Sequence, residues 1–353
     1  MDIFFKYYLD IKKNQPEYTN FQRVKIVIPT NLSFLENEEK TKRFEDYKNK
    51  LATVNCDIII SYSTDGFYAQ DTREKKHLTQ EWFDKTLAFC GKHEFGVHPM
   101  IAPENVDKAI INYDWWLENL NKYFSIDFEW HPMLLPVRND GWTQEKINLY
   151  LEYLNHMIEY RLEIFDRNLL NFTKHITQGQ KEKGLLNSPN MDPLRLDFKD
   201  KGQTSINCSL GESFAINCMN LEVVPCHRLA YPHLCGGKFK VENNKIIGIE
   251  AYENVSSYIA LTNENRFYRP NCATCEIRGF CMQGCLGAQY EFSGEAHMPI
   301  PSVCNLFKQN IAFLLDKYAE LGVLDIMLNP EFENYNENLA QGILTYYKRK
   351  EKK

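Results

Sequence analysis

The chain has 353 residues, 44% hydrophobic and 13% aromatic, a composition that folds rather than one that stays disordered. Its formal net charge of −6 argues against nucleic acid as a partner, and no apolar run is long enough to span a membrane. "MDIFFKYYLDIKK" is broken by Lys6 and Asp10 before a signal peptide can develop, so the protein reads as cytoplasmic, where clustered cysteines point to metal or catalysis rather than disulfides.

Taken in order, apolar strands alternate with helical stretches through the first half. "VKIVIPT" (24–30) predicts a buried strand, 36–54 an exposed helix, and "CDIIISYS" (56–63) a second strand followed by the turn-rich "TDGFYAQDTRE". A helix is expected around 79–90, a strand at "FGVHPMI" (95–101), a helix from Pro103 carrying Trp115 and Trp116, and a strand at "IDFEWHPMLLPV" (126–137). A long helix should begin near Thr143, with Glu145 suiting its first turn. Such alternation implies parallel strands with right-handed crossovers, hence an α/β layer or barrel.

The pattern weakens over "TQGQKEKGLLNSPNMDPLRLDFKDKGQT", which places a boundary there. The expected organisation is an α/β region over 1–178, a linker over 179–205, a cysteine-rich domain over 206–325 and a helical tail over 326–353. In the cysteine-rich part, "FAINCMNLEVVPC" and "GKFKVENNKIIGIEAY" read as hairpins, with "ENN" as a turn. Helices are expected near 304–321 and 332–350, the last ending in a solvated "YYKRKEKK".

The eleven cysteines are unevenly placed. Cys56 and Cys90 stand alone and read as buried core thiols. The other nine, at 208, 218, 226, 235, 272, 275, 281, 285 and 304, fall in one region. The densest group is "NCATCEIRGFCMQGC", Cys272-x2-Cys275-x5-Cys281-x3-Cys285. Thiolates bind soft or borderline metals, and C-x2-C lets two sulfurs converge across a turn. Gly279 and Gly284 let backbone N–H groups approach sulfur, while Phe280 and Met282 can screen a site from water. One structural zinc could take Cys272, Cys275, Cys281 and Cys285, but that leaves the other cysteines unexplained; spacing alone leaves zinc and iron–sulfur both open.

The set Cys208, Cys226, the four-cysteine group and Cys304 resembles the SPASM domain of radical S-adenosylmethionine enzymes. The resemblance implies two auxiliary [4Fe–4S] clusters with interleaved ligands. Cys272, Cys275, Cys281 and Cys304 would hold the second, and Cys208, Cys226 and Cys285 three irons of the first. The fourth position of the first cluster would be open or filled by Cys218 or Cys235. The chain departs from the pattern at Leu221, where the family usually has glycine at a turn. The first half resembles part of a radical-SAM barrel: "IVIPTNLSFL" is similar to a strand that usually reads TNG, with Leu32 in place of glycine. "SYSTDGFYAQDTR" is similar to the segment that touches S-adenosylmethionine, which assigns those contacts to Ser63 and Arg73; Arg73 also suits a carboxylate as a bidentate guanidinium. "VHPMIAPENV" and "HPMLLPVRNDGW" resemble the next two core strands, and a surface ion pair is the plain alternative for Arg73 and Arg138.

The family's chemistry depends on C-x3-C-x2-C, which binds the cluster that cleaves S-adenosylmethionine; the 353 residues contain no such motif and no GGE segment. The expectation is therefore a fragment of a longer gene product, ahead of a split enzyme or a relative without radical initiation. S-adenosylmethionine is expected only where the barrel is completed. The resemblance implies radical modification of a peptide or protein substrate, with a reductant protein as a further partner. The alternatives are a non-catalytic iron–sulfur relay or peptide-docking protein, and a zinc-stapled interaction module. His131, His227 and His233 read as hydrogen-bonded structural histidines, His227 lying beside a cluster ligand, because no hydrolase motif accompanies them.

Overall fold

The computed structural model describes residues 24–69, 78–124, 134–164, 167–178, 192–196, 198, 215–217, 219–243, 245–252, 270–281, 284–296 and 298–351, with Phe5, Lys6, Tyr8, Leu9, Asp10 and Asn14. In chain order the main elements are β1 (Val24–Thr30), α1 (Glu38–Ala52), β2 (Cys56–Tyr62), α2 (Gln80–His93), β3 (Gly96–Val97), β4 (Met100–Ile101), α3 (Ala109–Tyr123), β5 (Leu135–Pro136), α4 (Gln144–Ile164) and α5 (Leu169–Gln178). There follow β6 (Ala215–Ile216), β7 (Glu222–Val224), β8 (Gly237–Glu242), β9 (Lys245–Ala251), α6 (Pro270–Ala273), α7 (Leu286–Ser293), α8 (Pro301–Leu321), α9 (Val323–Met327) and α10 (Glu337–Lys350).

Two compact units share the chain. One comprises Met1–Ser63, Cys208–Glu264 and Leu286–His297; the other comprises Thr64–Asn207, Asn265–Cys285 and Met298–Lys353. The expected linker falls mostly outside the described residues.

In the first unit, β1 and β2 pair in parallel from Val24↔Cys56 to Thr30↔Tyr62. A parallel pair needs a crossover, which α1 supplies. Asn37 caps α1 by accepting the Lys40 N–H at 3.0 Å, and Glu38 and Glu39 sit in its positive first turn. β2 buries Cys56, Ile58, Ile60 and Tyr62 at every second position. The reading of β1 as a buried strand is corrected: Lys25, Val27 and Pro29 are exposed, Val27 by 58%. Its other face, Ile26, Ile28 and Thr30, is half-buried. Four antiparallel strands, ordered β6-β7-β8-β9, make a second sheet. Glu242↔Lys245 closes the β8–β9 hairpin over the expected turn.

In the second unit, the single strand expected over 95–101 is two short ones, β3 and β4. Pro99 stands between them and has no N–H to give a ladder. β4 pairs in parallel with β5 through Met100↔Leu135; residues 126–133 of the expected strand, His131 included, lie outside the described residues. The core of this unit is aromatic. Tyr113, Trp116, Tyr150, Tyr153, Phe172 and Tyr318 are all fully buried. Within it Arg161, also fully buried, donates to Asp192 Oδ2 at 3.0 Å, and its other terminal nitrogen meets His175 Nδ1 at 2.6 Å. Asp192 also accepts the Leu194 N–H, and Tyr318 donates to the Leu194 carbonyl. This network ties α4, α5, residues 192–194 and α8 together.

Candidate functional site

Ligands of α/β folds collect at the carboxyl ends of parallel strands. At that edge of the β1–β2 pair, the Ser63 N–H donates to the Thr30 carbonyl at 2.8 Å, extending the ladder one residue past β2. Thr30 Oγ1 accepts the Leu32 N–H at 3.1 Å, and Leu32 takes the left-handed conformation, φ 61°. Leucine thus adopts here the backbone that glycine adopts easily, and its side chain is fully buried. Ser63, the expected cofactor contact, stands at this strand end; Arg73 lies outside the described residues.

Asp65 and Gly66 of the same motif hold the following turn to α3. The Asp65 carboxylate accepts the Met100 N–H at 3.0 Å. Its backbone carbonyl accepts from Asn112 Nδ2 at 2.6 Å and from Trp116 Nε1 at 3.2 Å. Gly66 has φ 107°, and a Cβ there would come within 2.5 Å of Asn112 Oδ1 and Trp116 Nε1. All these partners are buried except Met100, which is half-buried. The chemistry of this Asp and Gly is therefore that of a scaffold: the Asp65 carboxylate and carbonyl and the Gly66 N–H are all matched within the protein.

The cysteine group forms a knuckle of consecutive turns. The Cys275 N–H reaches the Cys272 carbonyl at 3.3 Å, Arg278 N–H the Cys275 carbonyl at 3.1 Å, and Cys281 N–H the Ile277 carbonyl at 2.9 Å. Cys304 belongs to the same unit, in the first turn of α8 behind Pro301. Residues four apart share a helix face, and one turn beyond Cys304 Lys308 reaches Glu276 of the knuckle at 4.0 Å. The Cys304 face of α8 is thus turned toward Cys275–Glu276. Further contacts fix the orientation of α8: Ser302 donates to Asp140 Oδ1 at 2.6 Å, Gln309 and Gln144 exchange amide hydrogen bonds at 2.7 Å, and the Arg138 guanidinium lies 5.9 Å from the Phe307 ring centre.

Cys272, Cys275, Cys281 and Cys304 are half-buried, and no described cysteine is in a disulfide. The donor set, four thiols from one compact unit, fits a [4Fe–4S] cluster, which takes one thiolate per iron. Among the described residues no three His, Cys, Asp or Glu side chains converge on a single ion.

The ligands expected for the first cluster are less fully described. Cys208 and Cys218 lie outside the described residues; Cys226 and Cys285 are half-buried. Upstream of Cys226 the β6–β7 turn closes through Leu221, whose N–H meets the Asn217 carbonyl at 2.7 Å at φ 63°. The expected turn therefore forms on leucine in the left-handed region. The Asn217 and Asn220 side chains support it by accepting the Met219 and Glu222 N–H groups. Cys235 is 2% exposed and its thiol donates to Glu222 Oε2 and the Tyr231 carbonyl, both at 3.5 Å. Burial, with the Glu222 hydrogen bond and carboxylate beside it, pushes this thiol's pKa up. Cys56 and Cys90 are core thiols, and burial pushes Cys90 up to about 12. His233 pairs with the Tyr290 hydroxyl, and His227 is exposed.

No family profile and no curated protein matches the chain. Solved structures do. The structure of polyhistidine-tagged anSMEcpe with bound AdoMet superposes with a TM-score of 0.51 at 11% identity, over 97% of this chain and 89% of the other. Native anSMEcpe with bound AdoMet gives 0.53 at 10% identity, over 90% and 88%. Both are of an anaerobic sulfatase-maturating enzyme. The chain shares the fold of radical S-adenosylmethionine enzymes. At such identity the likeness is one of backbone path, and residue roles rest on the chemistry above.

Sequence reasoning missed the Glu276–Lys308 pair, the Asp140–Ser302 tether and the matching of the Asp65 carbonyl. The first had a signal, since Cys304 and Lys308 are one helical turn apart. The others join residues far apart in sequence and leave none.

Proposed function

We propose that the chain belongs to a cluster-bearing radical S-adenosylmethionine enzyme of the SPASM type, acting on a peptide or protein side chain. One observation supports this reading most directly: Lys308, one helical turn past Cys304, pairs with Glu276 of the knuckle in a chain with that fold. The AdoMet in both structural neighbours supports S-adenosylmethionine as the cofactor of a completed barrel, with Ser63 and Arg73 as contacts. Cys272, Cys275, Cys281 and Cys304 would hold one auxiliary cluster, and Cys208, Cys226 and Cys285 would supply the second. An auxiliary cluster supplies one-electron chemistry. The chain's own residues hold the thiols in register through the knuckle turns, and Asp140, Gln144 and Phe307 fix the helix that carries Cys304.

These residues include no C-x3-C-x2-C, so this chain alone has no ligands for the initiating cluster. Oxygen-free purification followed by iron and sulfide assay tests the proposal. About eight irons per chain, four to each cube, are expected; stoichiometric zinc without iron would overturn it. The second reading, an electron relay or docking protein, is favoured by the missing motif. It is distinguished by adding S-adenosylmethionine, a strong reductant and a separately supplied fragment bearing C-x3-C-x2-C. Formation of 5′-deoxyadenosine supports the enzyme reading, and its absence with both parts bound supports the relay.

A further inference from the structure

Phe198 stands against the backbones of two glycines distant in sequence. A Cβ at Gly279 or at Gly342 would overlap the Phe198 ring, so both positions must lack a side chain for the ring to enter. The ring meets Phe280 edge-on, with centroids 5.3 Å apart at 72°, and Phe280 in turn meets Tyr346 at 6.5 Å and 88°. Phe280 and Tyr346 are buried, 5% and 7% exposed. Gly279 and Phe280 immediately precede Cys281, so the ring packs on the segment of chain that leads into the third thiol of the knuckle. α10, which provides Gly342 and Tyr346, is tied to the Cys304 helix: the Tyr347 hydroxyl donates to the Leu315 carbonyl at 3.1 Å and Lys350 pairs with Asp316 at 3.0 Å.

We propose that Phe198 is a plug that seals the Cys281 side of the knuckle from water and oxygen, seated by Gly279 and Gly342. It rests on the reading of Cys272, Cys275, Cys281 and Cys304 as cluster ligands. Solvent access and the polarity around a cluster govern its potential and its lability. A ring packed on Gly279 and Phe280 would keep water from the chain leading into Cys281, and α10, through Gly342 and Tyr346, holds that packing in place.

The test has two arms. In metal-free protein, iodoacetamide labelling followed residue by residue by mass spectrometry reads access to each thiol. Phe198→Ala is expected to speed labelling of Cys281 several-fold while leaving Cys235, in the other unit, unchanged. Phe198→Leu should restore most of the protection. Gly342→Ala, which displaces the ring, should reproduce the effect of Phe198→Ala and add nothing to it in the double variant. In protein reconstituted with iron and sulfide, Phe198→Ala should bleach several-fold faster in air. Unchanged Cys281 labelling in a Phe198→Ala protein with native circular dichroism overturns the proposal, as does a uniform rise at all thiols, which would mark general loosening. Absence of iron in the reconstituted wild type would sink the cluster reading, while the labelling arm still decides the plug.

Discussion

Arg161 lies 2.6 Å from Nδ1 of His175, both on helices of the second unit's core. A guanidinium only donates, so His175 Nδ1 is the acceptor and the imidazole is neutral. Burial, and then the Arg161 charge, push its pKa down to about 4. The unfolded histidine titrates near 6.5. Between those values the unfolded state binds the extra proton, so stability falls as pH drops from 6.5 toward 4, by up to about 3 kcal/mol. Urea midpoints at pH 7, 5.5 and 4.5 should decline more steeply in wild type than in His175→Gln; parallel declines would refute this.

Leu32 and Leu221 should respond to glycine to different extents. Both carry the left-handed backbone cost of about 1–2 kcal/mol. Leu221 is half-buried, so Leu221→Gly is expected to change stability by less than about 1 kcal/mol, the strain relief offsetting glycine's greater chain entropy. Leu32 is fully buried, and Leu32→Gly should cost about 2–4 kcal/mol through the lost core side chain. Paired thermal melts distinguish them.

Gly66 should tolerate no side chain. Gly66→Ala would push against Asn112 and Trp116 at a φ of 107° and is expected to cost about 3 kcal/mol or more. Trp116→Phe, which removes one of two donors to the Asp65 carbonyl, should cost about 1 kcal/mol. A Gly66→Ala protein with wild-type melting would contradict the scaffold role.

Cys235→Ser should retain the full iron content, because the hydroxyl can replace the thiol as donor to Glu222. Cys272→Ser should lose the iron of one cluster, about four atoms. Loss of iron in Cys235→Ser would make it a ligand after all.

The early strands and helices were legible because local patterns specify them. β1, β2 and α1 follow apolar runs and the Asn37 cap, and the β8–β9 turn falls on "ENN". The strand expected over 95–101 divides because Pro99 overrides the apolar run. The burial of β1 was misread because an apolar run does not say how many faces are covered; Val27 shows that one is not. At the candidate site, spacing identified the thiols, yet the surroundings of Cys281 depend on Phe198 and Gly342, whose proximity to the knuckle is a product of tertiary packing.

That packing makes three positions interdependent across evolutionary time. In homologous chains, a methyl or larger group where Gly342 or Gly279 stands would have to be accompanied by a slimmer residue in place of Phe198. Covariation among these sites, rather than the cysteines alone, would trace which relatives have inherited the same enclosure.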